Sequence, residues 1–154
     1  MTHTFWFDAS YPSGYMKLQT RNRMVHYKNE TDLTTTELSN YDASVDVLLL
    51  DDDLTGMTFG VVDCADVLSG AKCDRHTLTY DIDFAQSQNL NTDQKRYLAC
   101  HEIGHTLGLK HGDDAAPRVD NDKLWLGCLT TPLSNPNALT VTGGHNKEVI
   151  NDNY

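Results

Sequence analysis

The chain of 154 residues has the length of one domain, and we expect a single unit over residues 1–154. Hydrophobic residues make up 39% of it, which is ordinary for a globular protein, and no apolar run approaches a membrane span. The formal net charge of −10 argues against nucleic acid, because phosphate binding requires a basic surface. We therefore expect a monomer that binds neither nucleic acid nor membranes.

Alternation of apolar and polar residues predicts most of the strands. They are expected at residues 4–8, 34–38, 44–50 and 57–63, with a helix at residues 14–27 after the first of them. The strand at 44–50 is apolar enough to be central and buried. Gly60, within the strand at 57–63, indicates a bulge or the close approach of another backbone.

Asp51, Asp52 and Asp53 form an acidic run after the central strand. Carboxylate oxygens suit calcium, so a structural Ca²⁺ ion is one interpretation of this run. The run lacks the alternating D-x-D-x-D-G spacing of a dedicated calcium loop. A solvated acidic turn is therefore favoured.

The second half of the chain begins with one more predicted strand. Residues 76–84 alternate cleanly, which predicts the last strand of the sheet, with His76 as a surface residue. Asn91 or Thr92 then caps a helix. The sequence after that helix is irregular.

Four cysteines occur, at positions 64, 73, 100 and 128. None of their spacings is the C-x₂-C of a zinc knuckle, so two disulfides are favoured, and these indicate an oxidising, extracellular compartment. Three pairings are possible in principle. We favour Cys64–Cys73, which closes a short loop, together with Cys100–Cys128. No basic and apolar leader is visible, so secretion requires that a signal peptide has been removed.

The pattern HExxHxxGxxH occurs once, at His101, Glu102, His105, Gly108 and His111. Residues four apart share one face of a helix, so His101 and His105 can bind one metal ion with Glu102 beside it. Gly108 can take the left-handed conformation that ends a helix, which allows His111 to return as the third ligand. Three neutral imidazoles leave one tetrahedral position for water, as in a catalytic zinc site.

The alternative for HExxH alone is an amphipathic helix with two solvent-facing histidines. The longer pattern opposes it, because its chance probability in a chain of this length is on the order of 10⁻⁵.

On these residues the sequence resembles the metzincin metallopeptidases, whose zinc motif is matched at the same five positions. The resemblance implies a zinc endopeptidase that acts on protein or peptide substrates, with one catalytic Zn²⁺ and Glu102 as general base. It also implies an α/β (α+β) fold with a twisted, mostly parallel sheet and an antiparallel edge strand. An N-terminal subdomain (residues 1–111) would carry the sheet and the metal helix, and a small irregular C-terminal subdomain (residues 112–154) would end in a helix.

The resemblance further implies a substrate site. The edge strand would pair with an extended peptide, and the other wall of the cleft would come from the irregular segment. The candidate residues are Thr58, Phe59, Gly60, Val61 and Val62 on the strand, and Thr130, Thr131 and Pro132 on the wall.

Two positions raise alternatives within the resemblance. Leu129 stands where metzincins carry a methionine in a tight turn beneath the zinc, and leucine is close enough in volume for the site to survive. Asp113 is an alternative third ligand, since small bacterial metzincins of the snapalysin type use aspartate there, but the standard spacing favours His111.

Two other functions remain open. The first is a zinc-binding module without catalysis that acts by protein binding, which Leu129 favours and the intact Glu102 opposes. The second is a zinc hydrolase of another substrate, such as a cell-wall amide.

Overall fold

The computed structural model describes residues 2–11, 14–67, 73–131 and 142–153. In chain order its elements are β1 (Thr2–Phe7), α1 (Tyr15–Glu30), β2 (Thr34–Glu37), β3 (Val47–Asp51), β4 (Gly60–Val67), β5 (Cys73–Tyr80), α2 (Ile82–Ser87), α3 (Thr92–Thr106), two short 3₁₀ helices (Gly112–Asp114 and Leu124–Leu126) and α4 (Gly144–Asn153). No helix within these ranges is long and apolar enough to cross a membrane.

The described strands form one sheet in the order β2-β1-β3-β5-β4. β1 pairs in parallel with β2 and β3, and β3 pairs in parallel with β5. β4 lies at the edge and runs antiparallel to β5. The predicted fold class, a mostly parallel sheet with an antiparallel edge strand, is confirmed.

The core lies between the sheet and the helices α1 and α3. Alternate strand residues face the helices, so that one side of each strand is buried. Its buried side chains include Phe5, Phe7, Val47, Leu49, Leu78 and Tyr80 from the sheet, Met24 and Tyr27 from α1, and Leu98 and Ile103 from α3.

Tyr27 fastens α1 to the middle of α3. Its side chain is fully buried, and its hydroxyl donates a hydrogen bond to the carbonyl oxygen of Cys100 at 2.9 Å. The hydroxyl oxygen of Tyr27 also lies 3.6 and 3.5 Å from the sulfur atoms of Cys100 and Cys128. The buried tyrosine therefore packs against the disulfide that ends on α3.

Two disulfides join the four cysteines, Cys64 to Cys73 and Cys100 to Cys128. These are the pairings favoured from the sequence. The first links β4 to β5, and the second links α3 to the segment after the second 3₁₀ helix.

The predicted strand at residues 76–84 is wrong at its C-terminal end. β5 starts earlier, at Cys73, and stops at Tyr80, where α2 replaces the predicted continuation. The Asp81 carboxylate accepts hydrogen bonds from the backbone N–H groups of Phe84 and Leu54, at 2.7 and 3.0 Å. This N-cap starts a helix, so the local hydrogen bond overrides the alternating pattern.

The strand predicted at residues 57–63 begins three residues later, at Gly60, and extends to Val67. Phe59 directly precedes it, and its carbonyl accepts a hydrogen bond from the Asp81 N–H at 3.1 Å. Its ring also stacks on Phe84 of α2, with the centroids 4.9 Å apart. Thr58 and Phe59 thus belong to the segment that leads into β4.

His3 of β1 is buried beneath the C-terminal end of α3. Its Nε2 lies 3.1 Å from the Thr106 hydroxyl, which itself donates to the carbonyl oxygen of Ile103. The hydroxyl therefore accepts from His3, so His3 carries its proton on Nε2. Burial lowers the pKa of His3 from its ordinary 6.5 to about 4, which nearby Asp46 opposes and His76 reinforces.

We predict that His3 makes the protein less stable in acid. Between pH 6.5 and 4 the His3 side chain is protonated in the unfolded chain but neutral in the native protein. The free energy of unfolding therefore falls as the pH falls. The loss attributable to His3 should be about 2 kcal/mol between pH 7.5 and 5. Urea unfolding of the wild type and of His3→Gln across this range gives the free energy of unfolding as a function of pH. The difference between the two curves measures the contribution of His3. Parallel curves would contradict the prediction.

Candidate metal centre

The helix that carries the HExxH motif has a firmly capped start. Asn91 is its N-cap, with the side-chain oxygen accepting from the N–H groups of Asp93 and Gln94, both at 2.9 Å. The Gln94 side chain accepts in turn from the Asn91 N–H, also at 2.9 Å, which completes a capping box. Asp93 places a negative charge in the first turn, where the helix dipole favours it.

The helix ends at a glycine with a left-handed backbone. α3 stops at Thr106, and Gly108 has a φ of 78°, a conformation that L side chains rarely adopt. The N–H groups of Gly108 and Leu109 return to the carbonyls of His105 and Gly104, at 3.0 and 3.1 Å. The chain thereby reverses and brings His111 back toward α3.

Three histidines converge at this end of α3. The Nε2 atom of His101 lies 3.2 Å from that of His105 and 3.0 Å from that of His111. Their candidate ligand atoms all lie within 4.8 Å of one another, and in the described part of the chain this is the one such group of His, Cys, Asp or Glu. The three could bind one metal ion.

The second nitrogens show why this group fits a cation. Nδ1 of His101 lies 2.8 Å from the carbonyl oxygen of Cys128, and Nδ1 of His105 lies 2.9 Å from that of Leu109. A carbonyl only accepts, so each Nδ1 is protonated, and in a neutral ring Nε2 then carries a lone pair. Lone pairs this close repel one another unless a cation lies between them, and fixing the tautomer through Nδ1 is typical of metal-binding histidines.

The electrostatics of the site favour neutral imidazoles. Burial lowers the pKa of His101 to about 3, and His105 contributes to the shift. Burial also lowers the pKa values of His105 and His111. Since only the neutral ring can bind a metal, the three histidines are held in their ligand form.

Glu102 lies beside the three histidines and is 6% exposed. Burial raises its pKa to about 8. Its side chain lies against the main chain of Gly60, the first residue of β4. The helix carrying the histidines and the edge strand therefore meet at the glutamate.

An open cleft of about 480 Å³ lies over the three histidines and Glu102. Its other lining residues are Gly60, Val61, Val62, Cys64 and His76. The structure thus brings three of the five predicted strand residues to the cleft, whereas Thr58 and Phe59 do not line it. His76, expected at the surface, is half-buried and lines the cleft, because the even-numbered residues of β5 face the helices.

The segment beneath the histidines is packed tightly against α3. Leu129 is fully buried, and its Cδ2 atom would lie 2.7 Å from a Cβ atom added to Gly104. Thr130 is also fully buried and Thr131 is half-buried, and neither lines the cleft. Pro132 lies outside the described residues. Leu129 therefore fills the space beside the helix turn that joins the first two histidines.

Asp113, the alternative third ligand, is engaged elsewhere. Its carboxylate lies 3.2 Å from the Arg118 guanidinium and accepts a hydrogen bond from Asn121 at 2.8 Å. It does not belong to the group that could bind the metal.

Taken with the cleft and the edge strand, the histidine group and its adjacent glutamate define a metallopeptidase. Residues 9–112 match the model of the family described as "Metallo-peptidase family M12B Reprolysin-like", from before α1 to just after His111. The chain belongs to this family, which confirms its resemblance to the metzincin metallopeptidases. Membership implies a protein or peptide substrate.

The fold is shared with a solved structure titled "Structure of myroilysin". The TM-score is 0.50 at 13% sequence identity, over 95% of this chain and 70% of the other. At this identity the similarity concerns the fold alone. No curated protein sequence matches the chain.

We predict that His111→Ala weakens zinc binding by about 100-fold or more, because one of three ligands is lost. Asp113→Asn should leave the affinity unchanged, since that carboxylate is bonded to Arg118 and Asn121. Competition with a chromogenic chelator measures both affinities. If Asp113→Asn weakened zinc binding and His111→Ala did not, Asp113 would be the third ligand.

Proposed function

We propose that the protein is a secreted zinc endopeptidase in which Glu102 acts as general base. The observation that carries the proposal is the convergence of three Nε2 atoms beside a buried glutamate on the floor of an open cleft. Family membership supports peptidase activity in general. The two disulfides support an extracellular location.

His101, His105 and His111 would hold the zinc through Nε2, leaving a coordination position for water. When bound, zinc lowers the pKa of a water ligand and polarises the substrate carbonyl. The carbonyl oxygens of Cys128 and Leu109 keep two of the imidazoles in the required tautomer and orientation.

Glu102 supplies the proton transfers. One oxygen of its carboxylate takes a proton from the attacking water, and the same group later delivers that proton to the nitrogen of the leaving amine. Burial supports this role, because a carboxylate with a raised pKa is a stronger base than an exposed one.

β4 would bind the substrate through its main chain. It pairs with β5 on one side and lies at the edge of the described sheet, so its outer N–H and C=O groups can pair with an extended peptide. Gly60, Val61 and Val62 contribute that edge beside the histidines. Recognition through main-chain hydrogen bonds favours a peptide over another amide.

The second candidate is a zinc-binding module without catalysis, favoured by leucine in the place of the metzincin methionine. The packing of Leu129 weakens this argument, since the leucine is fully buried against Gly104, in the helix turn between His101 and His105. An intact Glu102 also has no purpose in a module that only binds.

We predict that Glu102→Gln keeps zinc but lowers peptide hydrolysis by about 10²- to 10⁴-fold, because glutamine cannot accept the proton. A quenched-fluorescent peptide library and casein, each with and without a chelator, measure the activity, and metal analysis measures the zinc. Equal hydrolysis by the wild type and the variant would remove Glu102 from this role. A zinc-loaded wild type that cleaves nothing would support the binding module.

A further inference from the structure

The Glu102 carboxylate accepts no hydrogen bond from the described part of the chain. It lines the open cleft, and the residue is 6% exposed. A buried side chain that lacks polar partners takes its orientation from packing. The atoms packed against the carboxylate therefore decide where it points.

The backbone of Gly60 lies against this side chain. A Cβ atom added at this residue would lie 2.9 Å from each of three Glu102 atoms, Cγ, Cδ and Oε1. That is closer than carbon atoms approach in folded proteins, so even a methyl group would displace the carboxylate. We propose that Gly60 is a positioning residue, whose bare backbone holds the Glu102 carboxylate in its working orientation.

The conformation of Gly60 gives no other reason for a glycine there. Its φ is not among the positive values, which occur in the described glycines only at Gly56, Gly108 and Gly127. Alanine could therefore adopt the same backbone and keep the N–H and C=O groups that pair with Tyr80. What excludes a larger residue is the contact with Glu102.

The backbones of β4 and α3, on the two sides of this contact, are both held in place. β4 is paired along its length with β5, and the preceding Phe59 is fixed by its hydrogen bond from Asp81 and its stacking on Phe84. On the other side, α3 is tied by the disulfide between Cys100 and Cys128. A side chain at position 60 would therefore turn the carboxylate rather than move the two backbones.

The proposal rests on the proposed function, because it assigns the orientation of the general base. Gly60→Ala should lower kcat about 10- to 100-fold, since a displacement below 1 Å at a reacting group costs up to about that much. KM and zinc content should remain near the wild-type values, because the main chain of β4 and the three histidines are unchanged. Gly144→Ala is the matched control, as a Cβ there meets nothing within 4 Å.

A truncated side chain at position 102 separates this contact from a general structural effect. Glu102→Ala removes Cγ, Cδ and Oε1, the three atoms that a Cβ atom at position 60 would meet, so a methyl group there has space. Glu102→Ala and Gly60→Ala together form a double-mutant cycle. In the wild-type background, an unchanged kcat or a change in KM alone would overturn the proposal.

The same double-mutant cycle read by urea unfolding does not depend on catalysis. Gly60→Ala should lower the unfolding midpoint in the wild-type background and leave it nearly unchanged in the Glu102→Ala background, whereas equal shifts would contradict the contact. A wild type without peptidase activity would refute the proposed function, while the unfolding cycle would still decide whether Gly60 positions Glu102.

Discussion

The metal centre depends on the bond from Nδ1 of His101 to the carbonyl oxygen of Cys128. This bond sets the tautomer of the ring and directs its other nitrogen toward His105 and His111. The disulfide from Cys128 to Cys100, the residue before His101, keeps the carbonyl beside the ring. Tyr27 closes the arrangement from α1 with its hydrogen bond to the Cys100 carbonyl. The His101 ring, the Cys128 carbonyl that orients it and the disulfide thus form one buried unit.

The histidine group could be predicted from the sequence because its geometry is local. All of its members lie within eleven consecutive positions, so the helical period and one left-handed glycine are enough to bring them together. The mostly parallel sheet followed from the resemblance that this motif supports, and the disulfide pairs followed from a short loop and elimination.

Other features of the site depend on long-range packing and could not be predicted. The contact between Gly60 and Glu102 and the place of His76 in the cleft both require the register of β4 against β5. The helix α2 was not predicted, because the alternation of apolar and polar residues in 76–84 continues past Asp81. The Asp81 carboxylate caps α2 and thereby ends the strand. These features depend on the register between two strands and on a side-chain cap, neither of which the periodicity of the sequence reveals.

The Cys64–Cys73 disulfide affects how the edge strand β4 would bind a peptide. It joins β4 to β5 at Cys64, which is one of the residues that line the cleft. A peptide that pairs with β4 as proposed would therefore meet a strand whose conformational freedom the crosslink already limits. Less conformational entropy would be lost on binding, so affinity could come from a few main-chain hydrogen bonds with little dependence on side-chain identity.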